Sequence, residues 1–292
     1  MNQFQAAKRG HLDWLRNTNW HKHDIDAQNG NGDSALIIAS RCGRETIVSL
    51  LLSKGASLDI RNCIGQTALM SSIKKNHISI ALRLISKESN LDLKDNMGRT
   101  ALTMTCDKCI YRMDIWYRKR LCKKLLRSGA NPNIRGIDNY SALELSLYKL
   151  KSRTNVDVAI TLVSGGADPN TKCWYKSPVI IEACQNCQFE LAVCILSNGG
   201  DPNARDAKGQ TAFDVGPLWV IPLILEYGYR LSGANKEYLK LHRPYLNWMT
   251  TPRSLKFLIQ NRTKVPVHFE LLKRRNSHDK ETTILVNNSY KK

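Results

Sequence analysis

The sequence predicts an all-α protein. About seven two-helix units stack side by side, each joined to the next by an extended hairpin arm, and a short helical extension follows. Three observations predict this. A seven-residue pattern with Ser or Thr at its centre occurs six times: NGDSALI from Asn31, IGQTALM from Ile64, MGRTALT from Met97, DNYSALE from Asp138, WYKSPVI from Trp174 and KGQTAFD from Lys208. The aligned hydroxyl residues, Ser34, Thr67, Thr100, Ser141, Ser177 and Thr211, lie 33, 33, 41, 36 and 34 residues apart. A period near 33 marks a stacked-repeat architecture. Finally, a second apolar-periodic helix follows each copy, and several of these close on the same signal: Gly55-Ala56, Gly129-Ala130, Gly166-Ala167 and Gly199-Gly200.

The units run over about 2–27, 31–62, 64–95, 97–134, 138–171, 174–204 and 208–231, which together make one repeat domain over 2–231. The first begins directly at its first helix, FQAAKRGHLDWL, and reads as an N-terminal cap. In four of the units a turn glycine (Gly32, Gly65, Gly98, Gly209) gives the chain a positive φ cheaply. The Ser or Thr then caps the first helix by accepting a free backbone N–H. The Leu two places on (Leu36, Leu69, Leu102, Leu143) faces the inter-unit core. The second helix ends on a glycine that tolerates the left-handed conformation, and "DPN" sends the chain into the arm. A single such unit cannot bury its own apolar face, so it needs neighbours. The last unit carries Pro217 and Pro222 at helical spacing, which predicts a shortened or distorted end.

These residues resemble the ankyrin repeat, whose pattern runs roughly D-x-x-G-x-T-P-L-H-x-A-A and then G-x-x-x-I-V-x-x-L-L-x-x-G-A-D-x-N. GANPN at Gly129 to Asn133 and GADPN at Gly166 to Asn170 match it best. The chain departs from the pattern at the His, replaced by Ile37, Met70, Thr103, Glu144, Ile180 and Asp214. The Pro survives only as Pro178. The family's Thr–His hydrogen-bond network is thereby lost, which predicts a less stable stack than a consensus one. The resemblance implies a non-enzymatic scaffold, a monomer that grips partner proteins on an extended concave surface. Its expected contact residues are the exposed tip residues Arg61, Asn62, Lys94, Asp95, Arg135, Asp138, Lys172, Trp174, Arg205 and Asp206.

The 41-residue spacing holds eight extra residues, placed within Cys106 to Tyr117, and YRKRLCKKLLR follows with six Arg or Lys and no acid. The segment reads either as a lengthened helix with a solvated basic face or as a partner-specific projection. Cys106-x-x-Cys109 and Cys184-x-x-Cys187 invite a zinc reading. Their units are separated by another whole unit, which puts them roughly 20 Å apart, beyond the reach of shared tetrahedral ligation. They are expected to be buried thiols, with no metal and no cofactor.

The formal net charge is +19, and the stretch from Gly233 onward, with 13 Lys or Arg against 4 Asp or Glu, carries about half of it. Such a balance favours acidic partners, nucleic acid or anionic membrane. No RNA- or DNA-reading motif accompanies it. No apolar run approaches a membrane span, and the N-terminal residues lack the apolar core of a signal peptide. Nine cysteines at irregular spacing do not form a secreted disulfide framework. Together these predict a cytoplasmic or nuclear protein. No phosphate-binding glycine loop, nucleophile elbow or nucleophile–base pair is present, so an enzyme is not expected.

The extension spans 233–292. Within it, TPRSLKFL from Thr251 resembles the start of a SOCS box, the helical module that follows ankyrin repeats in the ankyrin-repeat and SOCS-box family. Ser254 and Leu255 match that module, while its cysteine position is Ile259 and its following arginines are Gln260 and Asn261. Over about 251–290 the resemblance implies binding of Elongin B and C, through Leu255, Leu258 and Ile259 against Elongin C. It also implies recruitment of a cullin ubiquitin ligase. A helix covering the open end of the stack explains the same residues, since a terminal unit leaves an apolar face.

Overall fold

The structure, a computed structural model, describes residues 1–20, 24–87, 90–107, 114–136, 139–147, 153–173, 176–217, 220–233 and 235–237. The chain forms two compact units, Met1–Asp168 and Pro169–Lys292. The array expected over 2–231 is therefore described in two parts.

The first unit holds ten helices among the described residues: α1 (Gln3–Arg9), α2 (Leu12–Asn17), α3 (Ala35–Arg41), α4 (Glu45–Ser53), α5 (Ala68–Lys74), α6 (Ile78–Ile85), α7 (Ala101–Cys106), α8 (Ile115–Arg127), α9 (Ala142–Leu147) and α10 (Arg153–Ser164). Odd and even helices form two layers. α1, α3, α5, α7 and α9 pack in that order, and so do α2, α4, α6, α8 and α10, with each odd helix also packed on its even successor. The second unit repeats the arrangement with α11 (Val179–Gln185), α12 (Phe189–Ser197), α13 (Ala212–Val215) and α14 (Val220–Glu226). The described residues contain no extended strand, only an isolated antiparallel bridge between Lys172 and Pro178.

Helices α3, α5 and α7 are enclosed nearly all round because each has an odd neighbour on either side and the even layer behind it. All six residues of α7 are buried, as are Ala68 to Ile73 of α5 and Ala35 to Ser40 of α3. Alanines at the contact points (Ala39, Ala68, Ala101, Ala142) let the helices approach closely. The even helices bury one stripe, such as Ile47, Val48 and Leu51 of α4 and Ile80, Ala81, Leu84 and Ile85 of α6. This is the pattern of an amphipathic helix that faces solvent on its other side.

The caps follow the hydroxyl pattern in four units. Ser34 Oγ accepts from Ile37 N–H at 3.3 Å, Thr67 Oγ1 from Met70 at 3.3 Å, Thr100 Oγ1 from Thr103 at 3.2 Å and Ser141 Oγ from Glu144 at 3.4 Å. Ser177 departs from the expectation, whereas Thr211 holds the cap position of α13 and turns its hydroxyl to further partners as well. The arm before α11 stays paired one residue longer, since Val179 N–H donates to the Thr171 carbonyl at 3.1 Å, so extended Pro178 takes the cap position. The Thr211 hydroxyl donates to Asp214 at 2.8 Å and pairs with the Tyr229 hydroxyl at 3.0 Å.

The missing histidines are compensated locally in three units. Thr103, Glu144 and Asp214 stand at the His position, and each reaches back to the backbone N–H of its cap residue. Thr100 N–H donates to Thr103 Oγ1 at 2.8 Å, Ser141 N–H to Glu144 Oε2 at 2.6 Å and Thr211 N–H to Asp214 Oδ2 at 2.8 Å. A capping box satisfies an otherwise orphan donor within one helix, with no need of a neighbouring repeat. Ile37 and Met70 instead convert the position into buried apolar area, each 1% exposed.

The extra residues of the long unit appear partly as helix. α8 has 13 residues, against 9 in α4 and 8 in α6. In the last unit α13 is only four residues long, while Pro222 lies in the first turn of α14. Proline is accommodated there because first-turn amides have no partner within the helix.

Candidate functional site

The hairpin arms end in six tips of one design, and the backbone dictates it. A residue at position i donates its N–H to the carbonyl of i+4, while i+3 donates back to the carbonyl of i. This closes the turns at Asn29, Asn62, Asp95, Gly136, Cys173 and Asp206. Position i+3 takes a left-handed φ: Gly32 (71°), Gly65 (75°), Gly98 (69°), Asn139 (60°), Lys176 (56°) and Gly209 (76°). Four tips carry an Asn or Asp at position i whose Oδ1 accepts two further amides, at i+2 and i+4. Asn29, Asn62, Asp95 and Asp206 do this at distances of 2.8–3.2 Å. Such an Asx turn holds the tip shape from within the loop.

Neighbouring tips touch. Cys63 N–H donates to the Asn31 carbonyl at 3.0 Å and Asn96 N–H to the Ile64 carbonyl at 3.1 Å. A Cβ added to Gly32 would lie 2.7 Å from the Cys63 nitrogen, and one added to Gly65 would lie 2.7 Å from that of Asn96. The stacking therefore demands glycine at these two positions for close approach as well as for φ.

Three residues before each tip stands a second polar position. Asp26, Asp59, Asp92, Asn133, Asn170 and Asn203 each accept, through Oδ1, the amide at the start of the next arm: Ser57, Asn90, Asn131, Asp168, Asp201 and Arg230, at 2.7–3.0 Å. Asn133 and Asn170 also donate from Nδ2 to the carbonyls of Gly166 and Gly199, at 3.0 and 3.1 Å. This ladder ties each arm to the next. Sequence reasoning missed it, although the signal was present as an Asp or Asn recurring three residues ahead of the tip.

The residues expected to contact a partner divide into two groups. Arg61, Lys94, Arg135, Lys172 and Arg205 are exposed, and each immediately precedes position i of its tip. Successive units thus place a cation at the same point, three of them in the first compact unit and two in the second. Arg61, Arg135 and Arg205 span their own turns, donating to the carbonyls of Gly65, Asn139 and Gly209 at 3.2, 2.6 and 2.7 Å. The second group is corrected. Asn62 and Asp95 are not exposed tip residues but are buried, at 8% and 4%, because their side chains turn inward to hold the turn. Asp206 is half-buried for the same reason. Asp138 and Trp174, like Leu255, Leu258 and Ile259 of the extension, lie outside the described residues.

Below the tips, carboxylates are neutralised by arginines on the same arms or helices. Asp33 binds Arg41 through two contacts at 3.0 and 2.7 Å, Asp95 binds Arg99 at 3.0 and 2.7 Å, and Glu144 binds Arg135 at 3.0 Å. These pairs stiffen the arms, with Asp33 and Asp95 side chains each 1% exposed. The perturbed titrating groups sit in packing positions. The Cys122 thiol is pushed well up by its hydrogen bond with Cys106, whose Sγ lies 3.6 Å away, and by burial. Burial likewise raises Cys184, and it raises Glu182 against a smaller opposing hydrogen bond from Asn186. Among the described residues no group of three or more His, Cys, Asp or Glu could hold a metal ion, and no helix is long and apolar enough to cross a membrane.

Comparison with known proteins bears on the same geometry. A family model described as ankyrin repeats, in three copies, matches residues 4–95. No curated protein matches the chain in sequence. Among solved structures, the ankyrin repeat domain of Bcl-3, described as a member of the IkappaB protein family, is similar with a TM-score of 0.58 and 19% identity. The match covers 77% of this chain and 98% of that one, and it shows the fold. With its repeated tips, its layered helix pairs and a family model that matches residues 4–95, the chain has the ankyrin-repeat fold.

Proposed function

We propose that the chain is a non-enzymatic scaffold that binds an acidic protein surface through its hairpin tips. The observation that carries this reading is the recurrence of an exposed cation at one tip position in successive units: Arg61, Lys94 and Arg135, then Lys172 and Arg205. Within each compact unit, like charges held at a repeated position steer and register a complementary partner more than they add affinity at any one point. The turns beneath it are fixed by backbone and Asx hydrogen bonds, so little ordering accompanies binding. The net charge of +19 favours the same class of partner. Affinity purification of the intact chain, compared by mass spectrometry with an Arg61→Glu/Lys94→Glu variant, tests the reading. Partners should be captured by the first and lost by the second. Retention of every captured protein by the variant would remove the tips from the binding surface.

A second reading rests on the sequence of the extension. TPRSLKFL resembles the start of a SOCS box, which supports a role as a substrate-recruiting adaptor of a cullin ubiquitin ligase. Co-purification of Elongin B and C with the intact protein, and its loss on Leu255→Asp, tests it. If the unaltered chain fails to retain them, the extension serves only to cover the end of the stack.

A further inference from the structure

We infer that the solvent face of α8 is a second docking surface, separate from the tips, for an acidic helical segment of a partner protein. α8 is longer than α4 and α6, and it differs from them in what it exposes. Trp116, Arg120, Lys123 and Arg127 stand at i, i+4, i+7 and i+11, and all four are exposed. On an α-helix these positions fall along one line about 16 Å long. The packed side of the helix, Arg118, Leu121, Cys122 and Leu125, lies opposite and is buried. The stripe is therefore not an accident of loose packing.

Trp116 is 59% exposed and its neighbour Tyr117 is 39% exposed, the most exposed aromatic side chains among the described residues. They meet edge to face at 5.1 Å, and the Arg120 guanidinium lies over the Trp116 ring at 5.4 Å. This holds the indole in place without burying it. Beside the stripe, Tyr117 and Arg120 share an open groove with His77, Ile78, Ser79 and Leu82 at the start of α6. The groove has apolar walls in Ile78, Leu82 and Tyr117 and a cation at its rim. Among the described residues, Arg120, Lys123 and Arg127 form no ion pair, whereas Lys119, just off the stripe, pairs with Asp157 at 3.2 Å.

The chemistry selects the occupant. Carboxylates spaced every three or four residues on a helix match the cations of α8, and one apolar side chain of the same helix would seat beside Trp116, in the groove walled by Ile78, Leu82 and Tyr117. Single-stranded nucleic acid needs free aromatic faces on which successive bases stack, but one face of Trp116 is already covered by Arg120. A membrane surface would need several outward apolar side chains to insert, and the stripe offers only one among three cations.

The test uses the full chain and a fluorescein-labelled amphipathic peptide with Glu at three- and four-residue spacing around Leu and Phe anchors. Its comparators are the same peptide with Gln for Glu, a labelled oligothymidylate, and phosphatidylserine-containing vesicles. The Glu peptide should bind saturably and more weakly as salt rises. Arg120→Glu/Lys123→Glu/Arg127→Glu should reduce its affinity about tenfold or more, and Trp116→Ala several-fold, with the melting temperature unchanged in both. If the triple variant melts early, Lys123→Glu alone with Trp116→Ala carries the same comparison. The Arg61→Glu/Lys94→Glu tip variant should bind the peptide as the unaltered chain does. Absent peptide binding, equal binding of the Gln peptide, or undiminished binding by the charge-reversed chain would overturn the inference. So would tighter binding of the oligonucleotide or vesicles that is lost in the same variant.

Discussion

Asn62 donates from Nδ2 to Asp33 Oδ1 at 2.9 Å, and both side chains are buried. One tip thus anchors to the arm of the unit before it through a hydrogen bond to a carboxylate that Arg41 also neutralises. Asn62 additionally accepts the amides of Ile64 and Gln66. Asn62→Ala removes all three bonds and leaves Asp33 with one partner fewer, so it should destabilise the protein by roughly 2–3 kcal/mol. Arg61→Ala, next to it and exposed, should change stability by no more than about 0.5 kcal/mol. Urea unfolding of the two variants checks the contrast, read from midpoints at equal slope.

Two glycines with nearly the same φ should respond differently to alanine. Gly65 (75°) is crowded by the Asn96 backbone, whereas Gly209 (76°) has open space where a Cβ would stand. Gly209→Ala carries only the left-handed cost, about 1 kcal/mol. Gly65→Ala must also push the next tip away and should cost at least about 2 kcal/mol. Equal midpoint shifts for the two would show that tips do not pack at this distance in solution.

Glu182 titrates above the ordinary carboxylate range because burial penalises its charged form, with Asn186 opposing. The folded state therefore holds this proton more tightly than the unfolded state. Its contribution to stability is fully present below the unfolded pKa and is lost as pH rises through the raised folded value. Glu182→Gln removes that loss. The variant should gain stability relative to the unaltered chain as pH rises from about 4, where the unfolded carboxyl ionises, through the raised folded value, seen as a widening difference in urea midpoint. A constant difference across that range would mean that the carboxyl is as well solvated folded as unfolded.

The thiols should sort by burial. Cys63 is exposed, while Cys106, Cys122 and Cys184 are buried; the hydrogen bond with Cys106, and then burial, push the Cys122 thiol up, and burial pushes Cys184 up. The thiolate is the reactive species. Iodoacetamide should therefore modify Cys63 in the native protein within the time that leaves Cys106, Cys122 and Cys184 untouched. Unfolding in urea should release all three. Peptide mass spectrometry after timed quenching reads the order.

Much of the fold could be read directly from the sequence because its signals are local. A helix cap needs only a hydroxyl three residues before an amide, so Ser34, Thr67, Thr100 and Ser141 were legible. Ser177 was misleading because the pairing of Thr171 with Val179, across the arm, postpones the helix. The loss of the His network was also legible, but its local replacement at Thr103, Glu144 and Asp214 was not. Those residues read as departures until their side chains were seen to turn back on their own caps.

The candidate surface divides the same way. That Arg61, Lys94, Arg135, Lys172 and Arg205 stand at tips follows from the repeat spacing alone. That Asn62 and Asp95, one residue further on, point inward does not, since neighbouring positions in a tight turn project in opposite directions. The sequence by itself determined the unit, its period, its caps and its basic character, because each is set by contacts within a few residues or by composition. Tertiary structure alone decided which polar side chains bind the next arm and which meet solvent. Those outcomes depend on neighbours in the adjoining unit, 29 residues apart for Asn62 and Asp33 and 31 for Asn90 and Asp59, whose approach no local pattern encodes.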